Sequence, residues 1–395
     1  MHRPVRFADD IEPLVQFVEE TEPSRILEAT LGKLRDGLSV KKLLTASALA
    51  VTRSSDLPPG HHGGPLHPLV GIHALHNTVE RVSGDQRLLP ILQHVALSNK
   101  HINHPGMGPY ILANAEPVDA GGVEATKKAF FAAVDRGLYN AADHHFLWLW
   151  GNIPHAEALD LLLTVAIPKN TLDDHYFIFP MFTWRALDWL GREHTSFLMR
   201  PAVRYVTRFP TPPVLKDIEP LLEEYELLKR PLGFHTSQDE APAIGLLGEA
   251  VTRCDTYAEI PRMLAKALAD GLSLQGAGEA LSIGAAGLFM RSLTGNPMDV
   301  HLHTGANLRR YLLKLEGVSL RNKLLALLTW HTGPEVRSTQ DRMEPPPSRI
   351  RRPSPRYPIA PRPHCWMRSR RAFTRSRPPT GRRSPISGRC APCPR

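Results

Sequence analysis

Residues 1–344 predict an all-α fold, a multi-helix bundle or irregular helical solenoid, followed by a disordered Arg/Pro-rich tail over residues 345–395. Three observations lead there. Apolar residues recur at three- and four-residue steps over segments of roughly ten to twenty residues, the period of a helix with one buried face. Pro, Gly and Asp, Ser or Thr residues punctuate those segments where helices start and stop. Sustained apolar/polar alternation, the mark of a strand meander, is missing.

In chain order, SRILEATLGKLRDG (residues 24–37) starts at the capping residue Ser24, carries Ile26, Leu27, Leu31 and Leu34 as one stripe, and stops at Gly37. SVKKLLTASALAVTR follows at once. VEATKKAFFAAVDRG carries Val123, Phe130, Phe131 and Val134 and stops at Gly137. PHAEALDLLLTVA opens with Pro154 in a first-turn position. TLDDHYFIFPMFTWRALDWLG is capped by Thr171 and ended by Gly191, and Pro180 is expected to kink it. TYAEIPRMLAKALADG, GEALSIGAAGLFMRSL, ANLRRYLLKLEG and SLRNKLLALLTW extend the pattern to Trp330. Short links predict antiparallel neighbours within one all-α domain over 1–344. RFPTPPVLKD, residues 208–217, is the best internal boundary, and no fixed repeat period emerges.

Charge separates the tail from the body. The whole chain is at +9, but residues 345–395 hold 14 Arg with no Lys, Asp or Glu, so residues 1–344 carry −5. A mildly acidic body has no electrostatic footprint for nucleic acid. The amino terminus lacks a secretory apolar run, and no stretch approaches the roughly 18 apolar residues of a membrane span. Cys254 is the one cysteine of residues 1–344, which excludes a disulfide framework there and predicts a soluble, cytoplasmic protein. Three readings compete for the tail: an anion-seeking arm, a Pro-rich linker, and an out-of-frame translation of a GC-rich gene. The joint loss of Lys and acidic residues favours the third, under which the native carboxyl terminus is missing and the Cys390/Cys393 pair is accidental.

Histidine is the residue type that raises a question of chemistry. Residues 1–344 hold 18 of them, and GHHGGPLHPLVGIHALHN alone contains five. A helix from about Leu66 places His73 and His76 one turn apart, while His62 and His67 lie in the Gly/Pro-rich approach. Neutral imidazoles ligate metals and exchange protons near neutrality, so His62, His67, His73 and His76 are metal-ligand candidates. The competing reading turns Leu66, Leu69 and Val70 to the core and leaves the imidazoles in water. Asp143-His144-His145 and Asp173-Asp174-His175 each set a carboxylate beside imidazole, an orientation suited to ligation or base catalysis, or to a simple helix cap. His175, amid Tyr176, Phe177, Phe179, Phe182 and Trp184, ranks above His145 because a buried imidazole needs a partner. Only one of His301 and His303 can face inward, and His94 and His101, seven apart, read as a surface stripe. HExxH, Glu-x-x-His, GxxxxGK[ST], GxSxG and CxxCH patterns are absent. GAGEALSIGAAG reads as small-residue helix packing, and Cys254 as structural.

HHGGPLHPLVGIHALHN resembles the His-rich helical segments of the questin oxidase-like family, at His67-Pro68-Leu69 and His73-Ala74-Leu75. The likeness covers roughly twenty residues, with the all-helical, His-rich remainder similar in character only. It implies an all-helical, NADPH-dependent oxidoreductase that inserts oxygen into a polyketide-type quinone, and it assigns no catalytic residue.

These readings converge on an oxidoreductase with a histidine-lined, aromatic-walled cavity for a small aromatic or apolar substrate. His73, His76, His144, His175 and His303 are expected to supply proton transfer or non-haem metal ligation, and Trp148, Phe179 and Trp184 the walls. The alternative is a non-catalytic helical scaffold, a subunit of a redox system whose carboxyl-terminal module is lost. Convergence of three of those five imidazoles within about 6 Å separates the two.

Overall fold

The computed structural model describes residues 5–57, 63–169, 174–208, 214–236, 239–292, 300–330 and 343–345. The chain divides into two units, Met1–Pro346 and Pro347–Arg395, and the second lies wholly outside the described residues. The described residues form sixteen α-helices and no strand, so the fold is all-α. No helix among them is long and apolar enough to cross a membrane.

The first five helices are α1 (Glu12–Glu20), α2 (Ile26–Arg35), α3 (Val40–Arg53), α4 (His67–Arg81) and α5 (Leu88–Asn103). Helix α3 is buried from Leu43 to Arg53, and its small Ala, Ser and Thr residues let the others close around it. Next come α6 (Val123–Asp135), α7 (Tyr139–Asn152), α8 (His155–Ala166), α9 (His175–Leu190) and α10 (Thr195–Thr207). The last six are α11 (Glu219–Glu224), α12 (Ala241–Arg253), α13 (Ile260–Ala269), α14 (Leu274–Arg291), α15 (Val300–Leu313) and α16 (Leu320–Leu328).

Several helix starts differ from expectation for local reasons. Helix α2 begins at Ile26 with Arg25 in the cap position and no side-chain cap bond, so Ser24 stands one residue too early. Pro154 is itself the cap residue of α8, outside the first turn. Helix α9 begins at His175, preceded by Asp174 at φ 63°, and Thr171 lies outside the described residues. Pro180 is contained inside α9. Ser273 and Ser319, by contrast, cap α14 and α16 through their hydroxyls, which accept from the N–H groups of Gly276 and Asn322.

The apolar interior falls into two clusters. One is built from α1 to α5 with the end of α9 and Leu198 of α10, and the other from the remaining helices. Their border runs through α4, α9 and α10, while residues 209–213 of the expected boundary lie outside the described residues. In the larger cluster α12 and α14 cross so closely that a Cβ on Gly284 would collide with Val251, and one on Gly287 with Thr252. The glycine-rich stretch is therefore a helix-packing surface.

Buried charge ties the helices together. Asp143 of α7, fully buried, binds Arg200 at 2.8 Å and Arg204 at 3.3 Å, both on α10. Arg204 continues to Asp56 at 2.7 Å, and Arg53 joins α3 to Glu12 and Glu19 of α1. Asp143 thus neither caps a helix nor orients an imidazole. It sits one turn inside α7 and neutralises arginines that have left water, which need such a partner.

Candidate functional site: an imidazole cluster at three helix starts

The first residue of α4 is His67, the first of α9 is His175, and the second of α15 is His301. Their rings meet. The His175 centroid lies 5.4 Å from that of His67 and 5.3 Å from that of His301, edge to face in both cases. His175 is 5% exposed, while the other two are half-buried. Phe179, one turn further along α9, stacks on His175 at 4.7 Å and also meets His67 edge-on at 5.7 Å. Tyr205 of α10 closes the wall, 5.0 Å from Phe179 and 5.1 Å from Tyr176.

Two local features hold this geometry. Nδ1 of His67 donates to the Gly64 carbonyl at 2.9 Å, which sets the tautomer and leaves the lone pair of the neutral ring on Nε2. Gly63 takes φ +84°, and a Cβ there would lie 2.5 Å from the Phe179 ring, so both backbone and space demand glycine. Behind His175, Asp174 accepts a two-pronged pair of bonds from Arg309, at 2.6 and 2.9 Å. Arg309 is 0% exposed and also donates to the carbonyls of Ala326 and Gly305. The guanidinium fork thereby clamps the residue before His175 to α15 and α16.

The expected site residues fall in several places. Of the five candidate imidazoles only His175 is in the cluster, and of the three candidate walls only Phe179. His73 accepts at Nε2 from the Asn77 amide at 2.9 Å, and burial, then the nearby Arg185 guanidinium, pushes its pKa down to about 4. His76 lies flat on Trp189 at 4.7 Å. Because α4 meets the start of α9 through His67 and its end through His76, the two helices run in the same direction. His67 and His76 are nine residues apart, which at about 1.5 Å per residue separates them by roughly 13 Å along α4. Of the expected ligand set of His62, His67, His73 and His76, His67 and His76 therefore do not converge on one point, and His62 lies outside the described residues. No group of three His, Cys, Asp or Glu side chains among the described residues is arranged to hold a metal ion.

His144 donates to the Glu116 carbonyl at 2.5 Å and His145 to that of Val118 at 3.1 Å, fastening the 116–118 segment to α7. His303 is exposed beside Phe289, its centroid 4.9 Å away. Trp148 is half-buried on α7, while Trp184 is buried against Trp150 under the Arg192 guanidinium. Sequence reasoning missed His301, Tyr205 and Gly63 as site members. The one available signal was the rule that only one of His301 and His303 faces inward, and the structure selects His301.

His94 and His101 do not form a surface stripe. Ile91, His94, Val95, Ser98 and Ile102 share the face of α5 that packs into the amino-terminal cluster. His94 is 7% exposed, its Nε2 has no hydrogen-bond partner among the described residues, and burial pushes its pKa down to about 4. The unfolded chain therefore takes up this proton first as pH falls from about 6.5, so stability is full above that value and is lost toward pH 4, by at most ~3 kcal/mol. The urea midpoint is expected to fall through this window, and His94→Leu to flatten the slope. An identical slope in His94→Leu removes His94 as its source.

In comparisons with protein-family models, curated proteins and solved structures, nothing matches this chain.

Proposed function

We propose that the chain is an oxidoreductase acting on a small aromatic or apolar substrate at the His67–His175–His301 cluster. One observation carries this reading: a buried imidazole in ring contact with two others, each from a different helix, inside an aromatic wall. Burying the His175 imidazole costs solvation that Leu or Phe at the same position would not, so packing alone gives no reason for it. His67, its tautomer held by the Nδ1 bond to the Gly64 carbonyl, is a positioned imidazole of the cluster for exchange of a substrate hydroxyl or enol proton. Phe179 and Tyr205, both buried, give the cluster an apolar aromatic backing that keeps water from it.

The resemblance to the questin oxidase-like family supports oxygen insertion, balanced as substrate, O2, NADPH and a proton giving the oxygenated product, NADP+ and water. The glycine-rich stretch of α14 is filled by α12 and does not fit a dinucleotide. Nor do the described residues bring together three ligands for a non-haem metal. The steps assigned to this chain are accordingly water exclusion and proton transfer by imidazole. A cytoplasmic location belongs to the same proposal, supported by the single, buried cysteine of residues 1–344.

The scaffold reading draws on His144 and His145, which bind carbonyls as structural residues do. Incubating the purified protein with NADPH, air and a panel of hydroxylated anthraquinones separates the two. Substrate-dependent NADPH oxidation matched by product gaining one oxygen is the expected result. Consumption of NADPH with no dependence on any quinone, or none at all, returns the chain to the scaffold reading.

A further inference from the structure

A cavity of about 350 Å³ lies between α9, α14, α15 and the segment 234–235, away from the imidazole cluster. Its walls carry three cations, Arg185, Arg310 and Lys314. Arg310 faces Glu279 at 3.6 Å. Arg185 and Lys314 have no carboxylate within ion-pair distance among the described residues, although both stand over the same Tyr311 ring, at 4.8 and 5.1 Å. The Tyr311 hydroxyl donates to Asp188 at 2.6 Å, and Asp188 also accepts from Arg192 at 3.0 Å. The nearest acid is thus already engaged and holds the ring in place.

Arg185 is further oriented by donating to the Asn307 side-chain oxygen at 2.5 Å. Burial lowers its pKa by more than Tyr311 and Asp188 restore, and its charge also helps to keep His73 neutral. Two like charges beside one ring, one of them half-buried, repel each other and have no carboxylate of their own among the described residues. Phe234 and Leu313 supply an apolar side to the same cavity. Such a mixture of cations and rings is the chemistry that recognises an oxyanion on an apolar body.

We propose that this cavity binds a small organic oxyanion, a carboxylate or phosphate monoester, with Arg185 and Lys314 as its ligands and Phe234 and Tyr311 as its walls. The site is independent of the imidazole cluster, and its test has no turnover readout. Calorimetric titration of the full chain with inorganic phosphate and with benzoate, at constant ionic strength in chloride, is the experiment. Saturable millimolar binding of at least one probe is expected, with Kd raised about tenfold or more in Arg185→Gln/Lys314→Gln. Phosphate binding alone assigns a phosphate monoester, and tighter benzoate binding assigns a carboxylate on a ring. The proposal is overturned if neither probe saturates by roughly 50 mM, or if Kd is unchanged in the double variant. Should that variant misfold, Lys314→Gln decides on the same criterion, since the Lys314 side chain is exposed and its loss leaves the core intact.

Discussion

Arg309→Ala is expected to destabilise the protein by about 3–5 kcal/mol, a large part of the 5–15 kcal/mol that holds a typical domain folded. The guanidinium has no exposed surface, and its removal strands the buried Asp174 carboxylate in a medium where an unpaired charge is costly. It also takes a donor from the carbonyls of Ala326 and Gly305. Asp174 sits at φ 63°, a conformation that its two bonds to Arg309 help to hold. Arg309→Lys should recover only part of the loss, because an ammonium cannot reproduce the planar fork. Pairing Arg309→Met with Asp174→Asn should recover more, since no charge is then left buried. Urea denaturation of the three variants supplies the numbers. A midpoint unchanged in Arg309→Ala would show that water reaches the Asp174 carboxylate and that the clamp on α9 is not formed.

His175→Ala is expected to lower turnover of the oxidised quinone roughly 10²- to 10⁴-fold, the usual contribution of a positioned acid or base. His301→Ala and His67→Ala should each lower it as well. His144→Ala and His303→Ala should leave it within about twofold, because the first, on α7, holds the Glu116 carbonyl and the second faces solvent. The contrast matters more than the size of any single loss. Equal losses in His175→Ala and His303→Ala, at matched urea midpoints, would remove the cluster as the reaction site. The pH profile gives a second readout, since a proton-transfer role moves its limbs when His175 is replaced and a packing role does not.

Much of the helical architecture was legible in the residues themselves. Gly37, Gly137 and Gly191 end α2, α6 and α9 at positive φ, as only glycine does without strain, and the apolar steps between such stops marked most of the helices. The candidate site was legible only in part. His175 and Phe179 stood out because imidazole within a dense aromatic run implies burial. His301 was outranked by its neighbour His303, because helical periodicity says that two such residues diverge without saying which one turns inward. His94 looked like a surface residue because a spacing of seven marks a face and not its direction. Asp143 and Asp174 looked like partners for the adjacent imidazoles, yet they bind Arg200 and Arg309, which lie 57 and 135 residues further on.

The sequence by itself determined that this chain is helical, where most of its helices begin and end, and that its carboxyl-terminal residues differ in composition from the rest. Those properties are local, set by propensity, capping and a 3.6-residue period over one or two turns. Only the tertiary structure decided which imidazoles share a space and which charges cancel. Each such contact joins helices distant along the chain, and its geometry follows from how whole apolar faces interlock, which no short window of residues encodes.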